Sequence, residues 1–147
     1  MSYHGSMDDI AALLRAARVI AVVGLSPHSA RDSYSVAAYL QRQGYRVIPV
    51  NPRETEILGE RCYARLEDVP ERVDIVDVFR RAEAVPEVAA AAARINARAL
   101  WLQEGVTHPA AEAAARAAGL AVVSDRCILK AHRAMAIGAR SDLLQTD

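Results

Sequence analysis

The sequence predicts an α/β domain built on a parallel sheet, and two observations support this prediction. Five short apolar runs lie at residues 19–24, 47–50, 73–78, 98–102 and 120–123. Most of them lack the apolar–polar alternation of a strand with one exposed face, as is typical of parallel strands buried on both faces. Helical stretches separate the runs at intervals of about 25 residues, an alternation that places helices on both sides of a parallel sheet.

Five segments have the features of helices. Residues 8–17 and 34–43 repeat apolar side chains three and four positions apart, and residues 83–96 are rich in alanine. Pro109 near the start and Gly119 at the end predict a helix at residues 108–118. Residues 128–137 are expected to form the last helix, which ends at Gly138.

The connectivity predicts one domain over residues 1–147, with its core at about residues 8–138. We expect a Rossmann-like, doubly wound fold, because right-handed crossovers leave few other topologies. The expected order of the five parallel strands is 3-2-1-4-5. Residues 57–62 are expected to form a small hairpin in the long connection after the second strand.

Composition excludes several classes of protein. Hydrophobic residues make up 52% of the chain and its formal net charge is zero, which argues against disorder and against a nucleic-acid binder. No apolar run is long enough to cross a membrane. Two cysteines, Cys62 and Cys127, are too few for a disulfide scaffold, so we expect a cytoplasmic protein. The small apolar faces of the alanine-rich helices are compatible with a homodimer.

The loop after the first strand is the most informative segment, because ligands of such sheets bind beyond the carboxyl ends of the strands. Gly24 allows a tight exit from the strand, and Asp32 and Ser33 are residue types that cap helices. A helix start attracts phosphate, and Arg31 adds a positive charge beside it. A phosphate site and an ordinary capped helix are both compatible with this loop.

Two nucleotide-binding motifs are absent from the chain, namely G-x-G-x-x-G and G-x-x-x-x-G-K-[ST]. The second strand ends at Asn51, Pro52 and Arg53, where NAD-binding domains place an acidic residue. An arginine there suits a phosphorylated ribose, which indicates NADP or coenzyme A.

Six segments, taken in order, carry a resemblance to a known family: residues 22–27, Arg31 with residues 33–34, and residues 50–52, 77–81, 101–105 and 125–127. Over residues 19–132 the chain resembles the small stand-alone CoA-binding proteins, a family similar to the nucleotide-binding domain of the succinyl-CoA synthetase α subunit. The resemblance implies a Rossmann-like fold and coenzyme A as the ligand.

The resemblance also implies roles for matching residues. The phosphates would contact Gly24, Leu25, Ser26, Pro27, Arg31, Ser33 and Tyr34; the adenosine end would lie near Asn51, Pro52 and Arg53; the adenine and ribose would lie near Val78, Phe79 and Arg80; and the pantetheine side would border Gln103, Glu104 and Gly105. Relatives often have lysine or another proline at residues 28–30. This chain does not, so Arg31 is the only fixed positive charge of the loop.

The implied function is binding of CoA or an acyl-CoA without catalysis. The synthetase works through a phosphohistidine on a second domain, and none of the four histidines here has a convincing acid and nucleophile beside it. A small NADP-dependent oxidoreductase and a CoA-responsive regulatory module of an acyl-CoA ligase remain the alternatives.

Other residues allow two interpretations. Cys127 could be a reactive thiol that faces the crevice expected to hold CoA, or a small buried apolar residue, and the second interpretation is favoured. Asp74 and Asp77 lie on opposite faces of their strand, and exposure on an edge strand or ion pairs with arginines would explain them. His108 is expected to cap a helix and His132 to be a surface or structural residue. Histidine and cysteine are too scattered for a metal site.

Overall fold

A computed structural model, which describes residues 6–135, contains the predicted five-stranded parallel sheet. Its strands are β1 (Val19–Val23), β2 (Arg46–Val50), β5 (Ile75–Val78), β6 (Ala99–Leu102) and β7 (Ala121–Val123). Between β2 and β5, the short strands β3 (Glu56–Ile57) and β4 (Glu60–Arg61) form the predicted antiparallel hairpin. The α/β, Rossmann-like fold is therefore confirmed.

Five helices accompany the strands: α1 (Met7–Ala16), α2 (Asp32–Arg42), α3 (Val85–Arg94), α4 (Pro109–Ala117) and α5 (Ile128–Ala134). Each starts within two residues of its predicted position. A short 3₁₀ turn, Ala82–Ala84, takes the place of the first residues predicted for α3. The predicted end of α5 at Gly138, and with it the end of the expected core, lies outside the described residues.

The helices cover both faces of the sheet. Helices α1, α2 and α5 bury side chains such as Leu14, Leu40 and Ile128 against one face, and α3 and α4 bury Ala92 and Ala115 against the other. Burying one large aliphatic side chain stabilises the fold by roughly 1.5–3 kcal/mol, so these two clusters supply much of the stability. No helix within residues 6–135 is long and apolar enough to cross a membrane.

The order of the parallel strands differs from the prediction. The sheet runs β2-β1-β5-β6-β7, which is 2-1-3-4-5 when the parallel strands are numbered along the chain. The expected order 3-2-1-4-5 is therefore wrong: the third parallel strand pairs with the first strand and not with the second. The chain reverses its direction of progress across the sheet between β1 and β5, and this switch point is where ligands of such sheets bind.

Pro49 explains why β2 lies at the edge. On the side of β2 that faces away from β1, the only partner among the described residues is a single bridge to Tyr63. The amide of Tyr63 donates to the carbonyl oxygen of Pro49 at 3.0 Å, and the amide of Asn51 donates to the carbonyl oxygen of Tyr63 at 2.9 Å. The ring nitrogen of Pro49 faces the same side and has no hydrogen to donate. A full strand could not pair there without losing a hydrogen bond, whereas an edge strand tolerates proline.

Asp74 and Asp77 do not lie on an edge strand, since β5 is between β1 and β6. Asp74 accepts hydrogen bonds from the amides of Arg18 and Val19, at 2.8 and 2.9 Å, and thereby fixes the start of β1. Asp77 is fully buried and accepts from the side-chain amide of Gln103. Neither makes an ion pair within residues 6–135, so the expected explanation was wrong for both.

Burial gives two side chains shifted pKa values. Burial raises the pKa of Asp77 from 3.8 to about 7, although the hydrogen bond from Gln103 opposes the shift. His132 is 1% exposed and its Nδ1 lies 2.7 Å from the hydroxyl of Tyr39, which confirms a structural role. Burial lowers the pKa of His132 below 6.5. The two groups have opposite effects on stability as the pH changes.

Replacing Asp77 with Asn should remove a pH dependence of stability. In the wild type the native state binds the Asp77 proton more tightly than the unfolded state, so its stabilising effect is complete below about pH 4 and is lost as the pH rises through about 7. Thermal or urea unfolding of both proteins between pH 5 and 8.5 should show Asp77→Asn gaining stability relative to the wild type as the pH rises. A constant difference would contradict a proton on Asp77. His132 contributes equally to both proteins and cancels.

Candidate functional site

The ends of β1 and β5 approach each other so closely that only glycine fits at position 24. Gly24 has a φ of +87°, and a Cβ atom on it would overlap the carbonyl oxygen of Phe79 and lie 3.0 Å from Cδ of Arg80. The amide of Phe79 donates to the carbonyl oxygen of Val23 at 2.8 Å, and the amide of Gly24 donates to Val50 at 2.9 Å. Hydrogen bonds therefore link the carboxyl ends of β2, β1 and β5 to one another.

The loop between β1 and α2 is held by its own serines. The hydroxyl of Ser33 accepts a hydrogen bond from the amide of Ser26 at 3.0 Å, and the hydroxyl of Ser26 accepts from the amide of His28 at 3.1 Å. The N-cap of α2 is Arg31 and no side chain caps the helix, so the cap expected at Asp32 or Ser33 was wrong. The amide of Tyr34 donates to the carbonyl oxygen of Arg31 at 3.1 Å, whereas the amides of Asp32 and Ser33 have no acceptor among the described residues and are suited to bind an anion.

Asn51 positions the loops and does not present a free group to a ligand. Its side-chain amide donates to the carbonyl oxygen of Leu25 at 3.0 Å, and its side-chain oxygen accepts from the amide of Arg53 at 2.8 Å. Both ends of the carboxamide are therefore used within the protein. This one side chain joins the loop after β1 to the loop after β2.

A first cavity of about 450 Å³, the β2 cavity, lies beside the ends of β1 and β2 and against α3. Its lining includes five predicted site residues and several charged residues that the sequence did not indicate: Gly24, Asn51, Pro52, Arg53 and Arg80, with Arg65, Glu67, Glu87 and Arg94. Glu67 pairs with Arg94 at 3.2 Å and with Arg65 at 3.6 Å. The hydrogen bond from Arg94 lowers the pKa of Glu67.

A second cavity of about 600 Å³, the β6 cavity, lies between α2, α5 and the ends of β5 and β6. Its lining combines predicted residues with residues of α2, α5 and the nearby loops: Phe79, Arg80, Gln103 and Glu104, with Asp32, Ser35, Val36, Arg81, Val106, Cys127, Leu129 and Lys130. Arg80 lines both cavities and stands between them. We refer to the two cavities together, with Arg80 at their junction, as the trough.

Arginines along the trough and its rim are free of ion pairs. Arg31, Arg53, Arg80 and Arg81 are exposed, and none of them pairs with an acidic side chain within residues 6–135. The other positive charges of the trough are paired: Lys130 lies 3.1 Å from Glu104. The trough therefore has an excess of positive charge around Arg80, although the whole chain has none.

Gln103, which directly follows β6, is fixed by a hydrogen bond to the buried Asp77. It is 6% exposed, its side-chain nitrogen donates to Asp77, and its side-chain oxygen has no partner among the described residues. The turn that follows is fixed by Asp125, which has a φ of +54° and accepts a hydrogen bond from the amide of Gly105 at 2.7 Å. The ends of β6 and β7 are thus joined at the wall of the β6 cavity.

The structure brings half of the predicted site residues to the trough. The others lie outside both cavity linings: Leu25, Ser26, Pro27, Arg31, Ser33, Tyr34, Val78 and Gly105. Leu25 and Val78 are fully buried in the two core clusters, so their side chains cannot contact a ligand there. Arg31 is exposed at the start of α2, next to residues that line the β6 cavity.

The histidine and cysteine residues considered as candidates lie in different surroundings. His108 caps α4, as predicted, by accepting a hydrogen bond at Nδ1 from the amide of Ala111 at 3.1 Å. Cys127 is half-buried: it packs against a core cluster, as expected of a small apolar residue, and it also lines the β6 cavity. No group of three or more histidine, cysteine or acidic side chains within residues 6–135 could hold a metal ion.

Comparison with known proteins gives the family. The sequence profile of the CoA binding domain matches residues 18–133. The chain is 38% identical over 127 residues to the protein YneT of Bacillus subtilis, covering 86% of this chain and 94% of YneT. It superimposes on a solved structure from Thermus thermophilus with a TM-score of 0.85 and 39% identity, covering 88% of this chain and 98% of that one.

A larger enzyme shares part of the sequence. Acetate–CoA ligase [ADP-forming] II of Archaeoglobus fulgidus is 32% identical over 77 residues, which is 51% of this chain but 11% of the ligase. The match therefore concerns a small part of that enzyme. Together with the profile match over residues 18–133, these similarities show that the chain belongs to the CoA-binding domain family.

Proposed function

We propose that this protein binds coenzyme A or an acyl-CoA along the trough and carries out no chemistry on it. The nucleotide half would occupy the β2 cavity and the pantetheine arm the β6 cavity. The observation that carries the proposal is the position of Arg80, which is free of ion pairs and lies between the two cavities at the switch point.

Charge supports this assignment. Coenzyme A carries a diphosphate and a 3′-phosphate, and the unpaired arginines of the trough, Arg53, Arg80 and Arg81, offer guanidinium groups that bind phosphate in bidentate fashion. Each hydrogen bond to a charged group contributes about 1.5–3 kcal/mol. We assign the diphosphate to Arg80, because it stands beside Gly24 and the uncapped start of α2.

Shape and polarity support the direction in which the ligand lies. Both cavities combine charged and apolar residues, but the apolar share of the lining surface is larger in the β6 cavity, where Val36, Phe79, Val106 and Leu129 contribute. A charged nucleotide suits the first cavity and a long, weakly polar arm suits the second. Both volumes, about 450 and 600 Å³, are within the range of small-molecule sites.

Family membership supports the identity of the ligand. The ligase of Archaeoglobus fulgidus that aligns with about half of this chain, at 32% identity, is named for the use of CoA. We propose that the aligned part of this chain binds the same ligand. We also propose that the protein acts in the cytoplasm as a CoA-binding protein. Release of free CoA from acetyl-CoA during incubation with the protein would contradict a purely binding role.

Replacing Arg80 with Ala should weaken CoA binding by about 10- to 150-fold, because one charge-assisted contact is lost. Isothermal titration calorimetry of CoA into wild type and variant measures this change. Arg98→Ala is the matched control. Arg98 is also exposed, but it directly precedes β6 and therefore lies at the amino ends of the strands, away from the trough. Equal affinity of wild type and Arg80→Ala would remove Arg80 from the site.

The 3′-phosphate should contribute through Arg53 at the rim of the β2 cavity. Dephospho-CoA, which lacks this phosphate, should bind the wild type about tenfold or more weakly than CoA, and Arg53→Ala should reduce that preference. NADP, which has a phosphorylated ribose but no pantetheine arm, should bind more weakly than CoA. Calorimetry with the three ligands decides: preference for NADP would instead support the oxidoreductase alternative.

Replacing Gly24 with Ala should destabilise the fold and abolish CoA binding, because its Cβ would overlap the Phe79 carbonyl and force the ends of β1 and β5 apart. Gly59→Ala is the matched control: Gly59 also has a positive φ, +75°, but a Cβ there meets nothing within 4 Å. The control should lose only about 1 kcal/mol from backbone strain and keep its affinity. Thermal melting with calorimetry compares them, and equal losses would contradict a special role for Gly24.

A further inference from the structure

Cys127 lies where a thiol can meet a ligand. It is a free, half-buried cysteine at the N-cap of α5, and it lines the β6 cavity together with Gln103 and Lys130. The other cysteine, Cys62, is buried, and its Sγ donates to the carbonyl oxygen of Asn51 at 3.4 Å. Burial raises the pKa of the Cys62 thiol and disfavours its reactive thiolate.

An unused acceptor on Gln103 points to a ligand in the same cavity. Gln103 is more than nine-tenths buried and its nitrogen is bound to Asp77, so the side chain is fixed. Its oxygen has no hydrogen-bond partner among the described residues and is accessible from the β6 cavity, so it can accept a hydrogen bond from a molecule bound there. The amide N–H groups of a pantetheine arm are donors of the required type, and the last of them is two methylene groups from the sulfur atom.

The wall of the β6 cavity beside Cys127 carries an ion pair. Lys130 follows Cys127 by three residues in the chain and lines the same cavity, where it pairs with Glu104 at 3.1 Å. Thiol–disulfide exchange requires that the attacking sulfur reach the disulfide, and Cys127 lines the cavity in which the disulfide would lie. Cys127 therefore has access to the cavity, whereas Cys62 is buried and lines neither cavity of the trough.

We propose that Cys127 is a site of covalent attachment of coenzyme A, formed by thiol–disulfide exchange with a disulfide of CoA; this rests on the proposed function. The Cys127 thiolate attacks one sulfur of the CoA disulfide, so that the Cys127 Sγ–sulfur bond forms as the disulfide bond of the reagent breaks. One CoA leaves as a thiolate and takes up a proton, in balance with the proton that Cys127 lost to solvent. The exchange needs no other oxidant, and a thiol reductant reverses it.

The test is the intact mass of the reduced protein after incubation with the symmetrical disulfide of CoA. We expect one CoA attached per chain, at Cys127 in the peptide map. Because binding raises the effective concentration of the reagent, attachment should be at least about tenfold faster than with glutathione disulfide. Adenosine 3′,5′-bisphosphate, which competes for the nucleotide half of the site and has no sulfur, should slow it.

Two variants complete the test. Cys127→Ser should abolish attachment and Cys62→Ser, the matched control, should leave it unchanged; thermal melting checks that both are folded, and the peptide map of the wild type gives the same answer without either variant. Attachment at Cys62, or equal rates with CoA disulfide and glutathione disulfide, would overturn the proposal. No attachment in a protein that binds CoA in calorimetry would overturn it and leave the proposed function intact. A protein that binds no CoA would overturn both.

Discussion

The close approach of Gly24 to the carbonyl group of Phe79 is the constraint on which the site depends. The loop after β1 crosses the end of β5 at the switch point of the sheet, and no side chain could be placed between them. This contact brings Arg80 to the junction of two cavities that belong to different strands. A larger residue at position 24 would move the loop, the start of α2 and Arg80 together.

The polar residues around the trough divide into those that hold the protein together and those that remain free. Asn51, Ser33 and Asp125 use their side chains to join one loop to another. Arg53, Arg80 and Arg81 have no ion pairs within the described part of the chain. An exposed, unpaired arginine costs little in water, and it can exchange its water for a phosphate without first breaking an internal pair. The carboxyl ends of the strands thus carry unpaired guanidinium groups that can bind an anionic ligand.

Local patterns predicted the elements of the fold but not how the strands pair. The five apolar runs are strands because both of their faces are buried, and that property is visible in the residues themselves. The order of the strands depends on contacts between distant segments, and the one local signal for it is Pro49, which favours an edge position for β2. With the third parallel strand beside the first, Phe79 and Arg80 come next to Gly24, a contact that the expected order would not allow.

The residues missed in the site follow from the same cause. Arg65 lies in the connection after the hairpin and Arg94 on α3, and their approach to the end of β2 depends on the path that the chain takes from β2 to β5. A carboxylate in a strand predicts exposure at an edge strand or an ion pair with an arginine, because carboxylates are rarely fully buried without a partner. The position of Asp77 in a central strand, beneath Gln103, gives the β6 cavity a fixed amide with one free oxygen.

A crystal structure of the complex with coenzyme A would show directly which cavities the ligand occupies. We expect the adenosine in the β2 cavity, the diphosphate between Gly24 and Arg80, and the sulfur in the β6 cavity near Cys127. Density for the cofactor elsewhere, such as in the alanine-lined groove between α3 and α4, with both cavities of the trough empty, would contradict this expectation.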